Sequence, residues 1–155
     1  MDLDADDLAG IVDLFGLLPR SDLASAVEEL AFRRGEDVPA AAVADAIDEA
    51  VADFALLQFD LEGETVVVAG PTAFPTLPAG AEDLVHILEA DPRDVDRTAL
   101  ADPIRERLTA AAARVDDPDR ASELIDVTYD AETWTEVDLT DVRERLATVA
   151  DDGPG

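Results

Sequence analysis

A single histidine lies among carboxylates in the second half of the chain and could support acid–base or metal chemistry. Glu82 precedes His86 by four residues and Glu89 follows it by three, so the three side chains share one face if the segment is helical. An imidazole with carboxylates can bind a transition metal. A pairing or surface role is the commoner explanation in so acidic a chain. We therefore expect no metal site and no cofactor, and an enzyme or metal-binding protein centred on His86 remains an alternative.

Other catalytic chemistry has little support. The chain contains no cysteine and no lysine, which excludes thiolate nucleophiles, Schiff-base lysines and the lysine of a Walker motif. It has no glycine-rich phosphate loop and no strand–turn–helix elbow around a serine. Carboxylates are so widespread that no pair stands out as an acid–base couple. The sequence predicts a non-catalytic protein.

Two adjacent arginines stand out from the acidic background as candidates for binding. Arg33 and Arg34 lie at the predicted end of a helix. They could neutralise the helix dipole and pair with Glu36 and Asp37 in the following turn. Alternatively, they could anchor an acidic partner or nucleic acid.

Aromatic side chains are the other candidates for contact with a partner. Phe32 lies off the apolar face of its predicted helix, so it packs against the second half of the chain or marks an interface. Tyr129 and Trp134 are expected to complete the core, and the alternative is a binding hot spot. Phe74 is expected, with Leu77, to anchor an extended connector on the core. The interaction candidates are Arg33, Arg34, Phe32, Phe74 and Trp134.

Apolar periodicity organises the first 78 residues into three helices and a β-hairpin. Helices are predicted for residues 6–18, 21–34 and 39–54, the last beginning at a proline and the second ending before a glycine. Strands are predicted for residues 56–61 and 65–69, joined by a glycine-containing turn. Three helices followed by a hairpin is the outline of a winged helix-turn-helix domain.

The remainder is predicted to be helical. Three prolines make residues 70–78 an extended connector. The predicted fold class is mostly helical α+β, with a winged-helix-like region at 1–78, a helical region at 79–150 packed on it, and a disordered tail at 151–155. The second region is predicted to contain helices 81–89, 96–115, 118–127 and 139–149, with residues 128–137 irregular or a short strand. Pro103 interrupts the second of these helices, or Asp102 and Pro103 instead form its N-cap and first turn.

The charge of the chain indicates its solvent. There are 38 acidic residues and 11 arginines in 155 residues, a net charge of -27. A globule of this mass exposes about 7,500 Å², which leaves roughly 14 Å between neighbouring carboxylates. The screening length is about 10 Å in 0.1 M salt and about 3 Å in 1 M salt, so repulsion disappears only in concentrated salt. We expect a salt-adapted protein of a halophilic cytoplasm.

The spread of charge and the apolar content indicate a folded chain, and the lack of long apolar runs indicates its cellular location. The net charge is -14 in residues 1–78 and -13 in residues 79–155, so the acids form no single tail. Leu, Ile, Val and Phe make up about 28% of the chain, above the roughly 20% typical of disordered chains. No apolar run could span a membrane, and the acidic N-terminus does not resemble a signal peptide. We expect a folded cytoplasmic protein without a membrane partner.

Several runs of the sequence carry a resemblance to a known family. These runs are 30–37, 73–78, 82–84 and 86–88. They resemble an uncharacterised family of small acidic proteins of halophilic archaea, a domain of unknown function. The resemblance covers most of the chain and implies no activity, ligand or site.

The charge pattern argues against nucleic acid as a partner. A winged helix reads DNA with its third helix and wing, which need cations against phosphate. No cation occurs between Arg34 and Arg93. The predicted function is a non-catalytic protein-interaction or regulatory module with an unknown protein partner and an undetermined oligomeric state. The alternative is a winged-helix DNA-binding regulator that uses Arg20, Arg33 and Arg34.

Overall fold

The chain divides into two compact units, Met1–Val95 and Asp96–Gly155. The computed structural model describes residues 4–88 and 92–151. Most of these residues are helical, and their strands form one three-stranded antiparallel sheet. The predicted mostly helical α+β class is confirmed.

The predicted boundaries of the two regions are not tested. The division after residue 78, with region 79–150 packed on the first, stays a prediction. The predicted disordered tail, 151–155, lies outside the described residues except for Asp151, which ends the last helix.

The first helix, α1 (Ala5–Phe15), begins with a reciprocal cap and ends at a glycine. The Asp4 carboxylate accepts from the Asp7 N–H at 2.9 Å, and the Asp7 carboxylate accepts from the Asp4 N–H at 3.2 Å. Gly16 has φ 80°, a left-handed conformation that stops the helix before the predicted end at residue 18. The chain then forms a two-residue strand, β1 (Leu18–Pro19), which is too short to give an alternating pattern in the sequence.

Two further helices follow close to their predicted bounds. They are α2 (Arg20–Arg33) and α3 (Ala40–Ala52). Gly35, with φ 71°, lies just beyond α2 and allows the left-handed turn that closes it. Pro39 caps the start of α3, where its missing N–H costs nothing.

The predicted hairpin is present and belongs to a sheet of three strands. Strands β2 (Leu56–Leu61) and β3 (Glu64–Ala69) pair through Glu62 and Gly63, which have φ 52° and 82°. Two successive positive φ values suit a tight hairpin turn. Strand β1 pairs with the other side of β3, with Leu18 opposite Val67, so the order is β1-β3-β2.

The first unit has one apolar core. The three helices and the sheet bury a shared set of aliphatic and aromatic side chains, and burying each is worth about 1.5–3 kcal/mol. The largest members of this core are Leu8, Ile11, Phe15, Leu18, Leu23, Leu30, Ile47, Leu56 and Leu84.

The proline-rich connector is held by α1, and its predicted anchors are wrong. Phe74 is 80% exposed and Leu77 is 48% exposed. Instead, the Asp6 carboxylate accepts from the Phe74 N–H at 3.1 Å, and the Asp6 carbonyl accepts from the Thr76 N–H at 3.1 Å. The Thr76 hydroxyl donates to the Asp7 carboxylate at 2.9 Å. The first turn of α1 therefore supplies polar partners that an extended backbone lacks.

The helix predicted at 81–89 is shorter in the structure. A 3₁₀ turn at Ala81–Asp83 leads into the four-residue helix α4 (Leu84–Ile87). Glu89 lies outside the described residues.

The described residues of the second unit form three long helices. A 3₁₀ turn at Arg97–Leu100 leads into α5 (Ala101–Arg114), so Pro103 lies in the first turn of α5 and does not interrupt it. It is followed by α6 (Pro118–Trp134), capped by the Asp117 carboxylate, and α7 (Thr140–Asp151).

Helix α6 corrects the prediction for residues 128–137. The helix continues through Trp134, where an irregular segment or strand was expected. Thr128 is buried, and its hydroxyl donates to the Ile125 carbonyl at 2.6 Å, a bond compatible with the helix. Helices α6 and α7 form a hairpin, and this packing outweighs the weak helix propensity of the segment. The buried aliphatic side chains of the unit are Leu100, Ile104, Leu108, Leu124, Val127, Leu139, Val142 and Leu146.

Candidate functional site

An exposed phenylalanine in an open groove is the strongest candidate for contact with a partner. Phe32 is 78% exposed near the end of α2, beside the fully buried Ala31. The groove has a volume of about 500 Å³, and its lining also includes Ser25 and Val38. Its other lining residues are acidic: Glu28, Glu29, Glu36 and Asp37. We call this set of seven residues the Phe32 groove.

The end of α2 is closed by a motif that fixes the wall of the Phe32 groove. The Gly35 N–H donates to the Phe32 carbonyl at 3.0 Å, and the Glu36 N–H donates to the Ala31 carbonyl at 2.9 Å. This pair of bonds is the Schellman arrangement, which requires a left-handed residue such as Gly35. The turn places Glu36 in the groove lining, beside the last turn of α2.

The guanidinium groups of Arg33 and Arg34 are hydrogen-bonded to other residues of the same chain. Arg33 donates to the Asp83 carboxylate at 3.1 Å and to the Gly80 carbonyl at 3.4 Å. Arg34 donates to the Ala79 carbonyl at 2.8 Å. The two guanidinium groups therefore tie the end of α2 to the segment before α4. Their predicted pairing with residues 36 and 37, and their role toward a partner, stay predictions.

The other aromatic candidates lie in different places. Phe74 lies on the connector and does not line the Phe32 groove. Trp134 is half-buried at the end of α6; the Arg97 guanidinium lies 5.0 Å from its ring centroid and donates to its carbonyl at 3.1 Å. Tyr129 is 56% exposed, so its predicted core position is wrong. Tyr129 lies on the outer side of α6, which continues to Trp134. The sequence did not predict this position because the predicted helix ends at residue 127.

A polar cluster between α6 and α7 was not predicted. Arg143 donates to the Glu132 carboxylate at 2.8 Å and to the Thr128 hydroxyl at 3.0 Å, and its guanidinium lies 4.2 Å from the Tyr129 ring centroid. The Leu139 N–H also donates to Glu132, at 2.9 Å. No spacing rule links these positions, because they meet only when the hairpin forms.

The ionisation of the cluster follows from these bonds. The Arg143 hydrogen bond, aided by the Leu139 N–H, lowers the pKa of Glu132. The Glu132 carboxylate raises the pKa of Arg143 in turn. The side chains of Arg143 and Glu132 are 18% and 24% exposed, so solvent screens the pair only in part. Both groups are therefore held in their charged forms.

We expect Glu132→Gln to lower the free energy of unfolding by about 1–2 kcal/mol at pH 7, because charged hydrogen bonds to Arg143 are lost. The depressed pKa gives stability that is present above the ordinary carboxyl pKa of 4.5 and is lost as pH falls through the lower, folded value. The difference between wild type and variant should therefore shrink below pH 4.5. Urea unfolding in concentrated KCl measures it, with the exposed Glu136→Gln as control. A difference that does not change with pH would contradict this account.

The histidine candidate lies on a short helix beside residues that the structure does not describe. His86 is exposed on the four-residue α4. Within residues 4–88 and 92–151, no group of three His, Asp or Glu side chains could hold a metal ion. Glu82 is also exposed, and Glu89 falls in the gap between those ranges. The enzyme or metal-binding alternative centred on His86 stays a prediction.

The face that would read DNA in a winged helix is anionic. Asp45, Asp48 and Glu49 are exposed on α3, and the hairpin tip exposes Glu62 and Glu64. This is the charge pattern expected from the sequence.

Arg20 contacts α3 and is engaged within the chain. It donates to the Asp48 carboxylate at 2.8 Å, to the Gln58 side chain at 2.6 Å and to the Ala44 carbonyl at 3.3 Å. These bonds join the start of α2 to α3 and β2. A phosphate would have to compete with all three.

Comparison with known proteins places the chain in a family whose function is unknown. Residues 6–151 match DUF7109, a family of unknown function, and the chain belongs to that family. Neither a curated protein nor a solved structure shows a significant match. Among the described helices, none combines the length and the apolar character needed to cross a membrane.

Proposed function

We propose that the protein is a salt-adapted, non-catalytic protein-interaction module of the halophilic archaeal cytoplasm. Its first unit is a winged-helix-like scaffold, and the Phe32 groove is its docking surface. The partner presents an arginine-bearing segment.

The order of elements supports the winged-helix-like scaffold. The first unit runs α1, β1, α2, α3, β2, β3, and the hairpin of β2 and β3 follows the third helix directly. Strand β1 pairs with β3 and so ties the hairpin to the helices. A fold of this kind serves several functions, so the function must be argued from surfaces.

The placement of the carboxylates supports salt adaptation. No Asp or Glu among the described residues is buried, and the buried polar residues there are Thr128 and Thr135. The acids therefore form a surface coat. Their mutual repulsion is weak only where the screening length is a few ångströms.

The same coat disfavours DNA binding. Exposed carboxylates on α3 and at the hairpin tip repel phosphate, and concentrated salt removes the counterion release that drives DNA binding. Contacts with a protein partner can instead rely on apolar burial, which salt does not screen.

The observation that carries the proposal is the exposure of Phe32. Phe32 is 78% exposed, so its ring contributes little apolar burial to the fold of the chain. A partner that covers the ring would gain this burial free energy on binding. The carboxylates around it accept hydrogen bonds from a guanidinium, and the ring face accepts the cation itself. An arginine with apolar neighbours therefore fits the groove better than an acidic or purely aliphatic segment.

We expect Phe32→Ala to weaken binding of an arginine–leucine peptide about tenfold, because ring contacts of this kind are worth roughly 1–2 kcal/mol. Phe74→Ala is the matched control, since Phe74 is equally exposed but lies outside the groove. Anisotropy of the fluorescein-labelled peptide in about 2 M KCl measures both, a concentration at which the screening length is below about 3 Å.

A second peptide in that experiment tests the charge of the partner. Citrulline keeps the shape of arginine but removes its charge, so the citrulline–leucine peptide should bind several-fold more weakly. The assignment of the Phe32 groove as a docking surface for arginine would be overturned by any of three results. These are equal weakening of binding by both phenylalanine variants, equal affinity for both peptides, and no binding of the arginine peptide.

A further inference from the structure

We propose that a second surface, a groove between α5 and α7, binds an amphipathic segment of a partner protein that carries carboxylates. The groove has a volume of about 460 Å³. Its lining includes the buried side chains of Ala112 and Val142 and the exposed Thr109 and Ala113. Ala112 and Val142 are almost fully buried, so the apolar area open to a partner comes from Ala113 and the methyl group of Thr109. The exposed carboxylate of Asp141, which is paired with Arg105, also lines the groove.

Two arginines lie at this groove in a chain that is otherwise strongly acidic. Arg105 donates to the Asp141 carboxylate and to the Asp138 carbonyl, each at 2.5 Å, and its hydrogen bond lowers the pKa of Asp141. Arg105 is therefore held in place by α7. Arg145 lines the same groove and is exposed, and within the described residues it makes no hydrogen bond or ion pair.

The unused guanidinium of Arg145 determines the chemistry of the occupant. It offers a planar set of donors that matches a carboxylate in two parallel hydrogen bonds. The hydrogen bonds of such a contact remain in concentrated salt, while its charge–charge attraction is weakened. A segment with apolar residues on one side and a carboxylate at its edge would cover Ala113 and the methyl group of Thr109 and pair with Arg145.

This surface differs from the Phe32 groove in position along the chain and in charge. The Phe32 groove is lined by four carboxylates and takes a cation. The α5–α7 groove takes an anion beside an apolar surface. The two assignments rest on different residues, so either can fail without the other.

Binding of a fluorescein-labelled glutamate–leucine peptide with helical spacing, in about 2 M KCl, tests the assignment. We expect Arg145→Gln to weaken the peptide about five- to tenfold. Arg107→Gln is the matched control, because Arg107 is exposed on α5, lies outside the groove lining and likewise makes no bond within the described chain. It should change the affinity less than twofold.

A second pair of variants tests the groove itself. Ala113→Trp places a large side chain in the groove and should abolish binding, whereas Ala110→Trp, at an exposed position outside the lining, should leave it unchanged. Circular dichroism verifies that each variant is folded. Three results would overturn the proposal. They are equal effects of the two arginine variants on peptide affinity, equal effects of the two tryptophan variants on peptide affinity, and a glutamine–leucine peptide that binds as tightly as the glutamate–leucine peptide.

Discussion

Transfer of the protein from about 3 M to about 0.1 M KCl lowers its free energy of unfolding by roughly 5 kcal/mol. Two carboxylates about 14 Å apart repel by about 0.3 kcal/mol in water, and screening in 0.1 M salt reduces this to roughly 0.07 kcal/mol. About a hundred neighbouring pairs give several kcal/mol, of which part persists in the unfolded chain. A typical domain is stable by only about 5–15 kcal/mol, so this loss removes a third or more of the stability and lowers the urea concentration at which the protein unfolds. Urea titrations followed by circular dichroism measure the effect.

A neutralised variant tests the cause of this salt dependence. Asp45→Asn, Glu49→Gln and Glu62→Gln together remove three exposed charges without touching the apolar core. In a fixed concentration of urea, the triple variant should reach its midpoint of salt-induced folding at a lower KCl concentration. Sucrose at equal water activity should not replace KCl, because it does not screen charge.

Gly10→Ala should lower the free energy of unfolding by roughly 2–3 kcal/mol, the range for a side chain forced into a packed site. A Cβ on Gly10 would lie 1.9 Å from the Thr76 carbonyl oxygen and 2.5 Å from its carbonyl carbon. The obstacle is backbone, which cannot rotate away, so the connector must leave α1. The better helix propensity of alanine recovers only about 1 kcal/mol.

Gly35→Ala is the control for this change, because it makes the same substitution where nothing lies within 4 Å. It should cost only the conformational penalty of φ 71°, about 1 kcal/mol. Hydrogen exchange at the Thr76 amide, which donates to the Asp6 carbonyl, should accelerate in Gly10→Ala alone. Unchanged stability and exchange in Gly10→Ala would contradict the close packing of α1 and the connector.

Local rules predicted the parts of the fold that depend on neighbours in sequence. The hairpin follows from two β-branched or aliphatic runs around Gly63, and the end of α2 follows from Gly35. Both of these features are set within a few residues. The position of Phe32 off the apolar face of α2 left two alternatives, packing against the second half of the chain or marking an interface, and the structure leaves the side chain exposed.

Features that depend on distant residues could not be predicted. The connector is anchored by Asp6 and Asp7, 68 and 69 residues away from their partners Phe74 and Thr76. The continuation of α6 depends on packing against α7. Sequence patterns carry no information about which carboxylate, among 38, meets which donor.

A direct comparison of DNA and peptide binding tests the central functional claim. The same protein, in about 2 M KCl, is titrated against a labelled duplex of mixed genomic sequence and against the labelled arginine–leucine peptide. We predict saturable binding of the peptide that Phe32→Ala weakens, and no measurable binding of the duplex. Tight, sequence-dependent binding of the duplex, unaffected by Phe32→Ala, would contradict the assignment of this protein as a protein-interaction module.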